Sequence, residues 1–120
     1  MRNFIILLGR LTSDPQVKTS MKGKDVTLFS LAINVGKDEK GESIASYFDC
    51  EAWEKIGETC AKYLHKGDLV QVNGELMHRV YMDKTNAKRD YYGVRVNGVE
   101  FLTPKTKEDK KEIVDEGLPY

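Results

Sequence analysis

The first half of the chain carries two apolar segments of different character. Residues 3–11 (NFIILLGRL) are apolar at almost every position, which is typical of a strand buried on both faces, by the core on one side and a partner subunit on the other. Residues 26–35 (VTLFSLAINV) alternate instead, and Phe29 falls on the more apolar face. The stretch between them, 12–25, contains Asp-Pro and Gly and is expected to be a long connection or an irregular hairpin.

A third strand is predicted at residues 44–53 (IASYFDCEAW), after a charged tip with glycines at 36–42. Phe48 and alternate neighbours form one face, whereas Tyr47 and Trp53 lie on the other. This segment is therefore expected to form a hairpin with the strand before it.

The hydrophobic period changes from two to about 3.6 at residues 54–66 (EKIGETCAKYLHK). The apolar positions of one helical face are Ile56, Cys60, Tyr63 and Leu64. Acidic residues near the start and basic residues near the end suit the helix dipole, and Gly67 is expected to end the helix.

Two further strands are predicted at 68–82 and 91–102, separated by a polar tip at 83–90. Gly74 predicts a bend or bulge in the first of them, and Asn97 with the glycine after it predicts a bulge in the second. Beyond these strands the hydrophobic pattern stops.

The predicted order is three strands, one helix and two strands, which is the order of the five-stranded OB-fold barrel. We therefore expect an all-β domain with one helix between strands 3 and 4 over residues 1–102. Residues 103–120 are expected to form a flexible linker and a short acidic tip.

The chain has 120 residues, with 19 basic and 19 acidic side chains and a net charge of zero. This balance excludes nucleic-acid binding through bulk charge alone and leaves local patches or base stacking. Two cysteines are too few for a disulfide scaffold, so a reduced, cytoplasmic protein is expected. The longest apolar run, Phe4–Leu8, is too short to span a membrane.

The chain contains none of the common catalytic or metal-binding motifs, such as a phosphate-binding loop, His-Glu-x-x-His or Cys-x-x-Cys. His65 and His78 show no ligand spacing and are expected to be ordinary surface or packing residues. Cys50 and Cys60 are expected to be small buried apolar residues. We therefore expect a binding protein with no enzymatic activity, metal or cofactor.

Several segments, in order, resemble the bacterial-type single-stranded DNA-binding protein (SSB) family, of host or phage origin. They are NFIILLGRLTSDPQVK, then FDCEAWEKIGETCAKYLHKGDLVQVNGELMHRVY, then YYGVRVNGVEFL. The resemblance covers residues 3–102 and implies a homotetramer that wraps single-stranded DNA without strict sequence preference, in replication, recombination and repair. Bases would stack on aromatic side chains while basic groups follow the phosphates.

The resemblance assigns stacking roles to Trp53, Tyr47 and Tyr81. The alternative for each is burial in the core. Trp53, however, shares its face with Tyr47, and Tyr81 shares its face with Arg79 rather than with the apolar Val80. Phe29 lies on the apolar face and is expected in the core.

The chain departs from the family pattern in three ways. The hairpin after the second strand lacks the family's fourth aromatic site and has Lys37 nearby; two tyrosines stand where tryptophans are common; and Asp49 and Glu51 place carboxylates on the face expected to meet phosphates. Each departure is expected to weaken binding or to raise its salt sensitivity without removing the stacking surface.

Clustered basic residues in loops and at strand ends are the candidates for phosphate contacts, since hairpin loops of this fold embrace the ligand. The alternative for each is an ordinary solvated surface charge. The candidates are Arg10, Lys18, Lys22, Lys24, Lys37, Lys40, Arg79, Lys84, Lys88 and Arg89.

The sequence ends in IVDEGLPY, which partly resembles the acidic tip with which the family docks replication and repair proteins. The candidate docking residues are Asp115, Glu116, Leu118, Pro119 and Tyr120. The alternative is a disordered end without a partner.

Two other functions remain open from the residues alone. One is an OB-fold replisome adaptor that binds DNA weakly, which the aromatic residues disfavour. The other is a small barrel enzyme such as a nuclease, which the missing catalytic motifs disfavour.

Overall fold

The computed structural model describes residues 1–103, which form six strands and one helix. The elements are β1 (Ile5–Leu11), β2 (Gln16–Thr19), β3 (Asp25–Lys37), β4 (Ser43–Trp53), α1 (Glu54–Tyr63), β5 (Leu69–Met82) and β6 (Lys88–Phe101). The predicted strands and helix are present in the predicted order. The connection over residues 12–25 contains the additional short strand β2, so the helix lies between β4 and β5.

Five of the strands close into a barrel because β1 pairs with two neighbours. The sheet order is β1-β5-β6-β4-β3-β2, and β1 also pairs with β3 through Arg10–Ala32 and Leu11–Leu31. The one parallel pair among these strands is β4 with β6. Strand β2 pairs with the first residues of β3, on the edge where β1 pairs with the later ones. This arrangement is the OB-fold barrel.

The barrel interior is filled by alternate residues of the strands and by one face of α1. The buried core consists of Leu11, Phe29, Leu31, Cys50, Ala52, Cys60, Leu64, Val70, Val72, Val94, Val96 and Phe101. Phe29 and both cysteines are thus core residues, as predicted. Burial raises the pKa of the Cys50 and Cys60 thiols to about 12, so both are uncharged at neutral pH.

The helix is shorter than its hydrophobic pattern predicts. It ends at Tyr63, and Leu64 adopts an extended conformation that carries its side chain into the core. A turn follows, closed by the hydrogen bond from the Asp68 amide to the His65 carbonyl at 3.0 Å. Gly67 has a φ of 87° and occupies this turn rather than the helix end.

The predicted bulges in β5 and β6 are one irregularity of the shared ladder. Asn73 pairs with Gly98 and Gly74 with Val96, which leaves Asn97 without a cross-strand partner. A Cβ on Gly74 would lie 2.0 Å from the carbonyl oxygen of Arg95. Gly74 therefore permits the close approach of the two backbones at the bulge.

One face of β1, continued by the preceding Phe4, is not covered by any other part of residues 1–103. Ile5 and Leu7 pack against the core, whereas Phe4, Ile6 and Leu8 are at least half exposed. We call these three residues the β1 outer strip. Over residues 1–103, α1 is too short to be a membrane-spanning helix.

Both long hairpins end in the same type of turn. In the β3–β4 tip, Asp38 accepts hydrogen bonds on its side chain from the amides of Lys40 and Glu42. In the β5–β6 tip, Asp83 accepts them from the amides of Thr85 and Ala87. In each tip the aspartate precedes by three positions a residue with positive φ, Gly41 in one and Asn86 in the other. An aspartate side chain thus organises each projecting loop.

The carboxylate of Asp83 is the more strongly held of the two. Its oxygens accept hydrogen bonds from the Thr85 hydroxyl at 2.6 Å and from Arg89 Nε at 2.7 Å. These bonds, followed by those from the Ala87 and Thr85 amides, lower the pKa of Asp83 to about 2. The ionised carboxylate therefore stabilises the tip fully above the ordinary aspartate pKa, and this stabilisation is lost as the pH falls through about 2.

Replacing Gly57 by alanine is expected to destabilise the fold by about 1–3 kcal/mol. The new Cβ would lie 2.3 Å from the carbonyl oxygen of Ala52, which is backbone and cannot move aside. This clash outweighs the helix propensity of about 1 kcal/mol that alanine gains over glycine. Urea denaturation at fixed protein concentration measures the change. Glu58→Ala, at the adjacent exposed helix position, is the control, and a Gly57→Ala protein as stable as this control would refute the packing argument.

The Asp83 carboxyl is expected to titrate near pH 2 in a carbon-detected NMR experiment. Thr85→Ala removes the largest contribution and should move the midpoint up towards the ordinary aspartate pKa. Thr85→Ser keeps the hydroxyl and should leave it low. A wild-type midpoint near that ordinary value would contradict the hydrogen-bond arrangement of the tip.

Candidate nucleic-acid interface

The outer face of β3 and β4 carries two of the three predicted aromatic residues, and basic residues of β1 and β2 flank it. Directly paired residues of neighbouring strands project from the same face of a sheet. Two rows of directly paired residues each run from a basic residue, through one residue of β3, to an aromatic residue of β4. The rows are Lys18–Val26–Trp53 and Arg10–Ala32–Tyr47.

The same face continues onto the β5–β6 hairpin. Glu51 of β4 pairs with Arg95 of β6 in the parallel ladder. Further along the hairpin, Arg79 pairs with Tyr91 and Tyr81 with Arg89. Four aromatic residues thus lie on one continuous surface, which we call the aromatic face: Tyr47, Trp53, Tyr81 and Tyr91.

None of the three predicted stacking residues belongs to the core. Tyr47 is 68% exposed and Tyr81 is 51% exposed, while Trp53 is partly buried at the end of β4. The alternative of core burial is therefore excluded for all three by the structure. Their role as stacking residues stays a prediction.

Glu51 is placed differently from the expectation of a carboxylate facing phosphates. It is only 6% exposed, and its two oxygens accept hydrogen bonds from Arg79 Nη1 at 2.7 Å and Nη2 at 3.0 Å. Trp53 Nε1 donates to the same carboxylate at 3.3 Å. The hydrogen bonds from Arg79 to Glu51 also raise the pKa of Arg79. The charge of Glu51 is therefore paired within the protein.

Of the two carboxylates that the sequence places on this face, Asp49 is the one that remains exposed. It accepts a hydrogen bond from the Tyr91 side chain. Burial raises the pKa of Tyr91, and the negative charges of Asp49 and Glu51 raise it further. Tyr91 consequently keeps its proton and donates it towards Asp49.

Tyr91 and Arg95 are the candidates that the sequence reasoning missed. Both lie in β6 beyond the predicted basic residues Lys88 and Arg89, in the segment for which the sequence suggested only a strand with a bulge. The register of the β5–β6 hairpin would have found Tyr91, since a tip centred on residues 83–87 places it opposite Arg79. Arg95 required the parallel pairing with β4, which local sequence does not show.

A groove of about 680 Å³ lies beside Trp53 at one end of the aromatic face. Ile56 and Val96 contribute apolar side chains to its lining, together with Trp53 and the acidic Glu54. The basic side chains along it are Lys22, Lys24 and Arg95. The groove has the apolar wall and basic rim that a base with its phosphate requires.

The other predicted basic residues are distributed over the loops and strand ends. Lys37 ends β3, Lys40 and Lys84 lie in the two hairpin tips, and Lys88 begins β6. Lys88 pairs with Met82, so it falls on the opposite face of the hairpin from Arg89.

Several predicted basic residues already have partners within the chain. Arg89 contacts Asp83, and Lys24 lies 3.8 Å from Glu54. Arg10 donates to the carbonyl oxygen of Gly67 at 3.0 Å.

The opposite face of the β5–β6 hairpin holds a separate polar cluster. His78 stacks on Tyr92 with ring centroids 4.8 Å apart, and its Nε2 lies 2.7 Å from Asp90.

The other histidine, His65, lies 3.8 Å from Asp68 in the turn after the helix. Within residues 1–103, no three histidine, cysteine or acidic side chains are grouped as a metal site.

The predicted docking residues Asp115, Glu116, Leu118, Pro119 and Tyr120 lie outside the described residues, as does nearly all of the predicted linker.

Comparison with known proteins bears on the whole described domain. The chain is 35% identical to single-stranded DNA-binding protein A of Bacillus subtilis over 106 residues, which are 88% of this chain and 62% of that protein. It is 35% identical to single-stranded DNA-binding protein 1 of Staphylococcus aureus, over 93% of this chain and 72% of that protein. The chain thus spans less than two thirds of the Bacillus protein.

A solved structure supports the fold assignment. The structure titled "Plasmodium falciparum SSB complex with ssDNA" superposes with a TM-score of 0.75 at 27% identity, covering 86% of this chain and 96% of that chain. The model of the single-strand binding protein family matches residues 2–102. The chain therefore belongs to the single-strand binding protein family, as its sequence motifs indicated.

Proposed function

We propose that this protein binds single-stranded DNA without strict sequence preference and protects it during replication, recombination and repair. Bases stack on Trp53, Tyr47 and Tyr81, joined by Tyr91, and basic residues of the loops contact the phosphates. The observation that carries this proposal is the continuous aromatic face across β4, β5 and β6. Stacking tolerates any base because every base has a π-face.

The basic residues near the aromatic face define a path for the backbone. Lys18 and Arg10 end the two rows across β3, and Lys22 and Lys24 border the groove beside Trp53. Lys37, Lys40, Lys84 and Arg89 extend the path onto the hairpins, whereas Lys88 lies on the opposite face of its hairpin and would contact a phosphate only beyond that edge. With a net charge of zero, affinity depends on this placement rather than on the total charge.

We further propose a non-enzymatic, cytoplasmic protein without a metal or cofactor. An adaptor that binds DNA weakly is the second candidate. The aromatic face favours the DNA binder, because two of its aromatic residues lie in rows with basic residues, as stacked bases and their phosphates together require.

Trp53 fluorescence is expected to fall when oligo(dT) is added, and much less with duplex DNA. Trp53 is the single tryptophan, so the signal reports one site. Trp53→Ala and Tyr81→Ala should each weaken oligo(dT) binding by about 1–3 kcal/mol. Tyr92→Ala is the matched control, since Tyr92 is 60% exposed but lies on the opposite face of the hairpin. Equal losses for Tyr81 and Tyr92 would exclude the aromatic face as the binding surface.

We propose that the β1 outer strip packs against a second copy in a homotetramer. Ile6→Glu should then reduce the mass measured by analytical ultracentrifugation at micromolar concentration, because a charge would be buried without a partner. Val17→Glu is the control, since Val17 is an equally exposed apolar strand residue on β2. A wild-type monomer, or an assembly that survives Ile6→Glu, would contradict the proposal.

We also propose that residues 115–120 dock replication or repair proteins. Removing them should leave oligo(dT) affinity unchanged or slightly higher, because negative charge is lost, while capture of such proteins from an extract is abolished. The full-length control carries Leu118→Ser and Tyr120→Ser, which retains the acidic residues and should also lose capture. Capture of the same proteins by the truncated chain would end this proposal.

A further inference from the structure

The carboxylate of Glu51 is the one buried charge of the aromatic face. A buried carboxylate is tolerated when donors satisfy it. Arg79 supplies a two-pronged contact at 2.7 and 3.0 Å, and Trp53 supplies an indole N–H at 3.3 Å. One acidic side chain thus joins a predicted stacking residue to a predicted phosphate contact, although the pair Glu51–Arg79 is separated by 28 residues in sequence.

The contact with Glu51 changes what Arg79 can offer to DNA. Two of its guanidinium nitrogens are engaged by the carboxylate, so its charge is already neutralised. The Arg79 side chain is nevertheless 48% exposed. A planar guanidinium held by its edge still presents a plane on which a base can stack.

Turning Arg79 towards a phosphate would carry a penalty that an ordinary surface arginine does not meet. Glu51 would be left buried without its ionic partner, which is strongly unfavourable. The alternative, in which Arg79 stays in place, requires no rearrangement of the free protein and so preserves a preorganised surface.

We propose that Glu51 is a positioning residue that holds Trp53 and Arg79 as one rigid stacking platform, so that Arg79 stacks on a base and does not neutralise a phosphate. This inference rests on the proposed DNA-binding function. It revises the role that the sequence alone suggested for Arg79, and it turns Glu51 from a repulsive charge into part of the binding surface.

The salt dependence of oligo(dT) binding separates the two roles of Arg79. On single strands, each neutralised phosphate contributes about 0.7 to the slope of log K against log salt. Glu51→Gln removes the ionic partner of Arg79 at nearly constant shape, so the freed guanidinium should steepen the slope by about 0.7. Over a tenfold change in salt, this equals about a fivefold additional loss of affinity.

The double variant Glu51→Gln with Arg79→Met removes both charges together and should show the wild-type slope. If Arg79 contacts a phosphate in the wild-type protein, this variant should instead be shallower by about 0.7. An unchanged slope in Glu51→Gln, or a shallower slope in the double variant, overturns the proposal. If Glu51→Gln does not fold, the double variant alone carries the same decision.

The positioning of Trp53 is tested with a matched pair of variants. Glu51→Gln with Arg79→Met keeps an oxygen that can accept from the indole, whereas Glu51→Leu with Arg79→Met does not. The second should bind oligo(dT) about fivefold more weakly, the effect of one ordinary hydrogen bond, and its Trp53 fluorescence anisotropy should show faster local motion. Equal affinity and equal anisotropy decay in the two variants would overturn the positioning role.

The controls distinguish a failure of this inference from a failure of the proposed function. Wild-type protein that neither binds oligo(dT) nor loses Trp53 fluorescence would refute the function itself, and with it this inference. If the wild-type protein binds oligo(dT) with loss of fluorescence, but the salt slope is unchanged in Glu51→Gln or shallower in the double variant, only the platform of Glu51, Trp53 and Arg79 is refuted.

Discussion

The closure of the barrel by β1 is the constraint from which the interface follows. Because β1 pairs with both β5 and β3, the five strands form a ring with an inside and an outside. The side chain of each strand residue then points either into the barrel or out of it, according to its position in the strand. Phe29 and Cys50 are buried because they face inwards, whereas Tyr47 is exposed and Trp53 only partly buried because they face outwards. The aromatic face is thus the outward counterpart of the core.

Local hydrophobic pattern was sufficient to predict most of this arrangement. The alternation in β3 and β4 and the helical spacing around Cys60 each report which side of an element meets the core. Pattern failed where an element buries nothing: all four residues of β2 are exposed, so no apolar period marks it as a strand. It also failed at the end of α1, because Leu64 reaches the core from an extended backbone as well as it would from a helix.

The interface was predictable only in part, for a related reason. The outward direction of Tyr47, Trp53 and Tyr81 follows from alternation within single strands. The contact of Glu51 with Arg79 depends instead on how the long β5–β6 hairpin lies over β4, which only the tertiary structure defines. A carboxylate that the sequence places among the predicted DNA contacts as a repulsive charge is therefore paired with an arginine in the structure.

Contacts between basic side chains and carboxylates reduce the number of basic residues that are free to meet a phosphate. Lys24, Arg79 and Arg89 each contact a carboxylate within the chain, and a cation with a close anionic partner releases fewer counterions when DNA arrives. The exposed pairs of Lys24 and Arg89 are weak and can exchange their carboxylate for a phosphate. Arg79 cannot do so without leaving the buried carboxylate of Glu51 unpaired. The burial of the anionic partner therefore distinguishes the cations of this chain: under the proposed function, those paired with exposed carboxylates are available to phosphates, whereas Arg79, paired with buried Glu51, is not.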